Sequence, residues 1–409
     1  AVRMKHPIRK ALTAILVMTL PFCGGLVPSI PMRVSAAGGS ASDIYANSIS
    51  SIPLSDAAAR MAAAPVGGTP SLLPVTGGKT VNVADFGANG GDRSSDTEAI
   101  RKAIESLGGA GTVLFPEGSY YCADIRVPSG VTLMSMTTFG FDGNGATQLV
   151  RNKANASCIL DLTGSRDVTV YGISLDGLSK SAQSTVHGVK VVGAKNVLIA
   201  NCRINACNGS AVLVDNSTGV TVRGSMLCGS AYGVGAISGS DLLVYDNWLT
   251  SCHPAGYLAQ SGVTSARITA NRIEWCGTGV LLEGASGQTV AGNYFDRCNI
   301  GGIRANGGRN LQMLGNINQR NGVLHGTDES CNLYLNGVSG AVYRGNVMEA
   351  IRGDGSDTNV TPETAMIIRN LKDSQILYNT AYKGFTQDLL KDYGGHSGTT
   401  IENNVGTKY

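Results

Sequence analysis

Four side chains in the second half of the chain are of types that do acid–base chemistry. Glu283 ends the run Gly-Val-Leu-Leu-Glu, Arg304 follows 21 residues later, and Asp328 and Glu329 end the run His-Gly-Thr-Asp-Glu. Two neighbouring carboxyl groups can serve as an acid and a base or nucleophile. An arginine beside a carboxyl group can instead support proton abstraction. Whether these side chains meet depends on the elements that carry them.

An internal repeat with a period of about 23 residues defines those elements. Seven asparagines each come before a short strand-like run, with steps of 24, 22, 23, 30, 33 and 25 residues. A period in the low twenties with short β runs and a fixed turn residue predicts a solenoid, in which each turn (a rung) stacks on the last. The repeating asparagines are Asn247, Asn271, Asn293, Asn316, Asn346, Asn379 and Asn404.

A typical rung, residues 279–298, holds three short strand-like runs, which we call its first, second and third strands. Asn293 falls in the corner between the second and third strands. A buried amide there can hydrogen-bond the same residue one rung up and down, so we interpret the asparagines as structural. Five cysteines form a second predicted ladder of small buried residues: Cys207, Cys228, Cys252, Cys276 and Cys298.

Alternation along the first strand separates inward from outward side chains. Val280 and Leu282 should point inward, and Leu281 and Glu283 outward. Alignment of the rungs predicts two outward rows. The first is Leu213, Leu258, Leu281, Arg304, Tyr334 and Ile368, and the second is Asp215, Gln260, Glu283, Asn306, Asn336 and Asn370.

Three insertions, residues 177–186, 320–330 and 351–362, each follow a third strand and come before the next first strand. Insertions that collect on one side of a solenoid usually build its binding face, so we expect a groove floored by the first strands. Its predicted floor is formed by Asp215, His253, Tyr257, Gln260, Glu283, Arg304, Asn306, Tyr334 and Asn336. Its predicted walls carry His325, Asp328, Glu329, Arg352, Asp354 and Asp357.

Residues 81–135 carry a recognisable family signature. It consists of Asp85-Phe86-Gly87-Ala88, the helical run Asp96-Thr97-Glu98-Ala99-Ile100, and Thr112-Val113-Leu114-Phe115-Pro116-Glu117-Gly118. This segment resembles the N-terminal part of the pectate-lyase-like superfamily. The resemblance implies an all-β, single-stranded right-handed parallel β-helix with an N-terminal α-helical cap, residues 81–110 within a domain of 81–409. Because Ala99, Ile100, Ala103, Ile104 and Leu107 recur at helical spacing, one apolar face can cover the first rung.

The resemblance also implies a polysaccharide substrate in the first-strand groove, and it leaves the reaction open. Hydrolysis needs two carboxyl groups about 5–9.5 Å apart, which Glu283 with Asp328 or Glu329 would provide. β-Elimination on a uronic-acid polymer would use Arg304, with Ca²⁺ as its cofactor; hydrolysis needs no cofactor. A non-catalytic glycan-binding or surface-assembly module is the third alternative. The active-site motifs of polygalacturonases, calcium pectate lyases and mannuronan epimerases do not occur in the sequence. Homotrimers are found among similar proteins.

A rival row is predicted on the third strands. Glu274, Asp296, Gln319 and Glu349 each lie three residues after a repeating asparagine, so they should share one register. Acids on adjacent rungs would be about 5 Å apart. Because no insertion walls this face, we expect a solvated surface or a subunit contact there.

The N-terminus has the pattern of a secretory signal peptide. Lys5, Arg9 and Lys10 precede an apolar run, residues 11–27, and Val34-Ser35-Ala36 is a small-residue cleavage site. We therefore predict a signal peptide at 1–36, a leader or linker at 37–80, and a secreted or periplasmic location without membrane attachment after cleavage. The remaining chain has 27 basic and 29 acidic residues, which argues against nucleic acid as a partner.

Overall fold

The computed structural model describes residues 78–135, 147–349, 362–382 and 389–406. The chain divides into the units Ala1–Pro70 and Ser71–Tyr409, and every described residue lies in the second unit. The predicted signal peptide, nearly all of the predicted leader, and the wall candidates Arg352, Asp354 and Asp357 lie outside the described residues. No helix in the described part of the chain is long and apolar enough to cross a membrane.

The described strands form three stacks, one for each strand of the rung. The first-strand stack contains β4 (Ile125–Arg126), β7 (Cys158–Asp161), β10 (His187–Val192), β13 (Ser210–Asp215), the first parts of β16 (Tyr232–Tyr245) and β18 (Ala255–Thr269), β20 (Thr278–Glu283), β23 (Gly301–Asn306), β26 (Cys331–Asn336), β29 (Thr364–Arg369) and β32 (Leu390–Asp392).

The second-strand stack contains β1 (Lys79–Asn82), β2 (Gly111–Phe115), β5 (Val131–Ser135), β8 (Arg166–Tyr171), β11 (Lys195–Ala200), β14 (Ser217–Arg223), the later parts of β16 and β18, β21 (Ser286–Ala291), β24 (Arg309–Leu314), β27 (Ser339–Arg344), β30 (Gln375–Leu377) and β33 (Thr400–Glu402). Because β16 and β18 run through the corner without a break, the first two stacks join into one sheet.

The third-strand stack is a separate sheet of β3 (Gly118–Cys122), β6 (Thr147–Arg151), β9 (Ser174–Asp176), β12 (Arg203–Asn205), β15 (Met226–Cys228), β17 (Trp248–Thr250), β19 (Arg272–Glu274), β22 (Tyr294–Asp296), β25 (Ile317–Gln319), β28 (Val347–Glu349), β31 (Thr380–Tyr382) and β34 (Val405–Gly406). Within every stack each strand pairs in parallel with the strand one rung away. The predicted three-strand rung is confirmed.

The core runs along the inside of the three stacks, as the alternation predicts. Val280 and Leu282 are fully buried, whereas Glu283 on the same strand is exposed. Each rung therefore buries its apolar side chains against its neighbours rather than against a separate layer.

One α-helix lies in the described residues, α1 (Thr97–Ser106). It belongs to the predicted cap segment and packs Ile100, Ala103 and Ile104 into the core. Asp96 precedes it but does not cap it with its side chain. The buried Asp96 carboxylate accepts hydrogen bonds from the backbone N–H groups of Asn89 and Tyr121, both at 2.8 Å. Asp96 therefore ties the glycine-rich turn to β3, which is a structural role.

The asparagine ladder is confirmed. In each of its six steps, the backbone N–H and the Nδ2 of one asparagine both donate to the Oδ1 of the next. From Asn293 to Asn316, for example, both distances are 3.0 Å. The Nδ2 of Asn293 also donates to the carbonyl of Ile268 at 2.8 Å. The side chains thereby satisfy backbone groups at a corner where no strand pairing is available.

The prediction of a cysteine ladder is partly wrong. Cys207, Cys252, Cys276 and Cys298 are fully buried in the core, but Cys228 pairs with Asn205 and Thr250, two residues before the ladder position. Ser230 takes its place: the N–H of Cys207 donates to Ser230 Oγ at 3.2 Å. The uneven steps of 21 and 24 residues around Cys228 were the sign of this shift. None of the nine cysteines in the described residues is in a disulfide.

Candidate active site

The register of the first strands corrects the predicted outward rows at their far end. Tyr334 pairs with Ile367 and Asn336 with Arg369, so Ile367 and Arg369 occupy the positions predicted for Ile368 and Asn370. Ile368 points into the core, and Asn370 lies beyond the strand at a positive φ of 52°. The predicted alignment was thus one residue out of register at this strand. The next strand adds Lys391 to the first row.

The wall segment that follows β25 closes on itself as a loop, residues 322–330. The buried Ser330 Oγ donates to the carbonyl of Gly322 at 3.0 Å and accepts from the N–H of Glu363 at 2.9 Å. Glu363 Oε2 accepts the N–H of Gly326 at 2.8 Å. These bonds join the loop to the start of the next rung, and they hold Asp328 over the sheet floor.

Three cationic or phenolic groups surround the Asp328 carboxylate. Arg369 forms an ion pair with it, Lys391 Nζ lies 3.2 Å from Oδ1, and the Tyr393 hydroxyl donates to Oδ1 at 2.7 Å. Partial burial acts to raise the pKa of Asp328, but the bonds from Tyr393 and Lys391 and the charge of Arg369 outweigh it and leave the pKa lowered. The carboxylate is therefore ionised at neutral pH.

Aromatic rings lie between these cations. The Arg304 guanidinium carbon is 4.1 Å from the centre of the Tyr334 ring, and the Arg369 carbon is 4.1 Å from that of Tyr393. Lys391 Nζ is 4.9 Å from the Tyr393 ring centre. Tyr393 is 48% exposed, so part of its side chain is accessible to a ligand. Hydrogen bonds to Tyr393 and Asp328 raise the pKa of Lys391, which keeps this ammonium group charged.

A cavity of about 380 Å³ opens beside Asp328. Its walls carry two carboxyl groups, Asp328 and Glu363, together with Lys391 and Tyr393. The remaining lining residues are Gly326, Thr327, Thr364 and Ile367. The size is typical of a pocket for a small ligand or a sugar unit of a longer one.

Glu283 is not among the residues around this cavity. It is exposed and accepts a hydrogen bond from Asn306 Nδ2 at 3.0 Å. In its outward row, Asn306, Asn336 and Arg369 follow on successive strands, which puts Arg369 about 14 Å along the sheet. The structure therefore does not bring the predicted pair of Glu283 and Asp328 together. Glu329 adjoins Asp328 in the loop, where its N–H donates to Thr327 Oγ1 at 3.1 Å.

Arg304, predicted as a base, is only 9% exposed. Its Nη1 donates to the backbone carbonyl of Asp328 at 3.0 Å, beneath the loop. Tyr334 also lies largely buried there, at 7% exposure. Both residues support the loop from below.

Most of the other predicted binding residues lie on first strands away from this cavity, but His325 directly precedes Gly326 on its wall. Asp215 accepts a hydrogen bond from Ser238 Oγ at 2.7 Å, and Asn336 Oδ1 accepts one from Asn370 Nδ2 at 3.4 Å. Gln260 is exposed on the rung before Glu283. The exposed residues His253 and His325 lie outside the strands, and their predicted contacts with substrate stay predictions.

Tyr257 is a clear correction. It pairs with Val280 in the inward row and is fully buried, with its hydroxyl donating to Gln288 Oε1 at 3.2 Å. Tyr257 therefore cannot touch a ligand in the groove. The alternation that assigned Val280 inward already required this, because the two residues share one register.

A phenylalanine substitution tests the placement of Tyr257. We expect Tyr257→Phe to lower the free energy of unfolding by about 1–2 kcal/mol, because Gln288 Oε1 loses a buried partner. Ligand binding in the groove should not change. Tyr393→Phe is the matched control, and we expect the reverse pattern. Its free energy of unfolding in urea should stay nearly unchanged, whereas calorimetry should show weaker ligand binding. A loss of binding in Tyr257→Phe alone would contradict the assignment.

The rival row on the third strands has the predicted register, but two of its carboxylates are buried and not exposed to solvent as expected. Glu274 and Asp296 are only 3% and 2% exposed. Arg320 Nε and Nη2 donate to the two oxygens of Asp296 at 2.7 and 2.5 Å. Trp248 Nε1 donates to Glu274 Oε1 at 2.7 Å. These carboxylates are held in ion pairs and hydrogen bonds of the sheet surface, and neither of them lines the cavity beside Asp328.

Sequence reasoning missed four residues of the cluster: Glu363, Arg369, Lys391 and Tyr393. Glu363 follows an insertion of irregular length, and Lys391 and Tyr393 belong to a rung without a clear repeat. The pairing of Met366 with Leu390 defines that rung in the structure. Among the described residues no group of three or more His, Cys, Asp and Glu side chains could hold a metal ion.

The stacked parallel strands, the helical cap and the asparagine ladder define a right-handed parallel β-helix. Solved structures with the same fold are similar over 80% of the chain. One is the A-module of the mannuronan C-5 epimerase AlgE6 of Azotobacter vinelandii, with 17% identity, a TM-score of 0.55 and 99% of that module covered. Another is the Dettilon tailspike protein, with 16% identity, a TM-score of 0.57 and 66% of that protein covered.

Sequence comparisons match shorter segments. The model of the NosD family, described as a periplasmic copper-binding protein, matches residues 149–302. An iota-carrageenase of Alteromonas macleodii is 42% identical over 52 residues, which is 12% of this chain and 11% of the carrageenase. The identities with the solved structures are low enough that they establish the fold alone.

Proposed function

We propose that the chain is an exported enzyme that hydrolyses glycosidic bonds of a polysaccharide in the cavity beside Asp328. The observation that carries the proposal is the pair of carboxyl groups, Asp328 and Glu363, on the walls of one cavity with Lys391 and Tyr393. Such a pair is what hydrolysis of a glycosidic bond requires. The proposal keeps Asp328 from the sequence analysis and replaces Glu283 with Glu363.

The environment of each carboxyl group suggests its role. Asp328 is held ionised by its contacts with Arg369, Lys391 and Tyr393, so it suits the nucleophile or the base. Glu363, the second carboxyl group on the wall of the cavity, is then proposed as the general acid. Glu363 would protonate the glycosidic oxygen as the bond to the sugar carbon breaks, and Asp328 would attack that carbon or take a proton from the attacking water.

The groove suits a long ligand. Gln260, Glu283, Asn306 and Asn336 project from successive first strands, so they offer polar contacts at a step of about 4.8 Å. The exposed Tyr393 offers an aromatic surface for a sugar ring at the cavity. The mannuronan epimerase and the iota-carrageenase are named for polysaccharides, which favours the same class of substrate here.

Simultaneous measurement of new reducing ends and ultraviolet absorbance tests the reaction on a panel of neutral and acidic polysaccharides. We expect reducing ends without absorbance, because hydrolysis leaves no unsaturated sugar. Glu363→Gln should lower the rate by about 10²–10⁴-fold, the usual contribution of a general acid. Glu105→Gln, the matched change at an exposed position of α1 away from the groove, should keep nearly the full rate. If Glu363→Gln keeps the full rate, the proposed acid is wrong.

β-Elimination is the alternative, because the cations beside the cavity could neutralise a uronate carboxylate. Arg369 and Lys391 are 27% and 39% exposed at the side chain and could contact such a group. Neither Arg304 nor Lys391 suits the role of the base that accepts the proton. Arg304 is buried, and Lys391 stays protonated because its pKa is raised. A lyase of this kind would need a base other than these two residues, and Ca²⁺ would neutralise the uronate carboxylate. Reducing ends that appear together with absorbance would favour this reaction.

A further inference from the structure

Arg304 projects from the groove floor, yet it uses its donors on the protein backbone. Its Nη1 donates to the carbonyl of Asp328 at 3.0 Å, with a longer contact of 3.5 Å to the carbonyl of Ile300. The guanidinium stacks on Tyr334 at 4.1 Å and is largely buried. Arg304 is not among the residues that line the cavity. It therefore acts on the loop and not directly on a ligand.

A small apolar cluster lies under the same part of the loop. Cys331, Tyr334 and Ile367 pack together outside the main core, all three buried. The Cys331 thiol points to the Asp328 carbonyl at 3.6 Å. Burial raises the pKa of this thiol to about 12, so it stays neutral and serves as a packing group and a weak donor. The Asp328 carbonyl thus accepts a hydrogen bond from one charged donor, Arg304, and lies above this apolar cluster.

The backbone carbonyl and the side-chain carboxylate of Asp328 are therefore bound by different residues. Arg304 on β23 holds its backbone carbonyl, and Arg369 and Lys391, on β29 and β32, contact its carboxylate. Hydrogen bonds with a charged donor are stronger than neutral ones, particularly in a buried place. A loop of nine residues without regular structure needs such a contact to keep one side chain in one position.

We infer that Arg304 is a positioning residue: by binding the carbonyl of Asp328, it holds the carboxylate of Asp328 at the cavity wall. The catalytic part of this inference rests on the proposed function, whereas the structural part does not. Without this donor the carbonyl loses its charged partner, the loop moves outward, and the carboxylate separates from Lys391 and Tyr393.

Kinetics of two Arg304 variants test the catalytic part. Arg304→Met keeps the packing on Tyr334 but has no donor, and we expect kcat to fall by about 10²-fold with KM changed little, as for a misplaced catalytic group. Arg304→Lys restores a cationic donor and should recover most of kcat. Arg344→Met is the matched control, since Arg344 also stacks on a tyrosine, Tyr378 at 5.2 Å, but on the second-strand face. An unchanged kcat in Arg304→Met, or no recovery in Arg304→Lys, would overturn the inference.

A titration separates this inference from the proposed function. The carboxyl carbon of Asp328 can be followed by NMR in protein labelled with ¹³C-aspartate, with Asp328→Asn to assign the signal. We expect its midpoint to rise in Arg304→Met, because the carboxylate loses Lys391 and Tyr393, and to return in Arg304→Lys. The charged and titratable groups around it are Arg304, Arg369, Lys391, Tyr393, Glu329 and Glu363.

The titration tests the positioning role of Arg304 even if no polysaccharide is cleaved. A midpoint that stays at the wild-type value in folded Arg304→Met, with thermal unfolding used to verify the fold, would overturn the positioning role. A raised midpoint together with an inactive wild-type protein would support the positioning role and count against the proposed function alone.

Discussion

We expect Asp328→Asn to lower kcat/KM for polysaccharide cleavage by about 10³-fold, within the usual range for the loss of a catalytic acid or base. Asparagine keeps the size of the side chain but can neither attack a sugar carbon nor take a proton. The assay is the release of reducing ends by the purified variant. Glu283→Gln and Asp215→Asn are the controls, because each removes an outward carboxyl group of the same sheet beyond the cavity. Equal losses in all three variants would contradict a site centred on Asp328.

The pH dependence of the wild type should agree with this role. The pKa of Asp328 is lowered in the folded protein, so its carboxylate stays ionised as the pH falls through the ordinary aspartate value of about 3.9. Its contribution to stability is present above that value and is lost only as the pH falls through the lower, folded pKa. The acid limb of kcat/KM that belongs to Asp328 should therefore lie below pH 4. An acid limb near pH 6 would assign it to another group.

The second large effect concerns stability. We expect Asn316→Leu to lower the free energy of unfolding by about 3–5 kcal/mol, because two buried donors of Asn293 lose their acceptor. The carbonyl of Val290 and the Oδ1 of Asn346 also lose a donor. Asn316 is fully buried, so water cannot replace these bonds.

Urea unfolding gives the measurement, and Asn306→Leu is the matched control. Asn306 makes the same kind of side-chain bond, to Glu283, on the outer face of the sheet. Its replacement should change the unfolding free energy by no more than about 0.5 kcal/mol. Similar midpoints for the two variants would show that the ladder does not contribute to stability in the way described.

The fold could be predicted because its main determinants repeat. The asparagines recur at one corner, and the apolar alternation of Val280 and Leu282 recurs on each first strand, so each rung supports the interpretation of the next. The cap could be predicted from the helical spacing of Ile100 and Ile104. The prediction of the cysteine ladder was wrong only at Cys228. This cysteine lies outside the repeat but close to the expected spacing.

The site was harder to predict because its residues interrupt the repeat. Asp328 was found because it lies in an insertion rich in charged residues. Its partners Arg369 and Lys391 come from rungs whose spacing is irregular, and a register error of one residue moves every side chain to the other face. Tyr257 shows the opposite failure. Its residue type suggested a binding role, although the strand alternation already assigned it to the core.

The location of a bound oligosaccharide tests the central claim most directly. A crystal structure of Asp328→Asn with a fragment of the cleaved polysaccharide should show a sugar ring on Tyr393, with a glycosidic oxygen between residue 328 and Glu363. The rest of the fragment should extend along the first strands past Asn336. A fragment bound on the third-strand sheet beside Asp296, or one that leaves the cavity empty, would contradict the account.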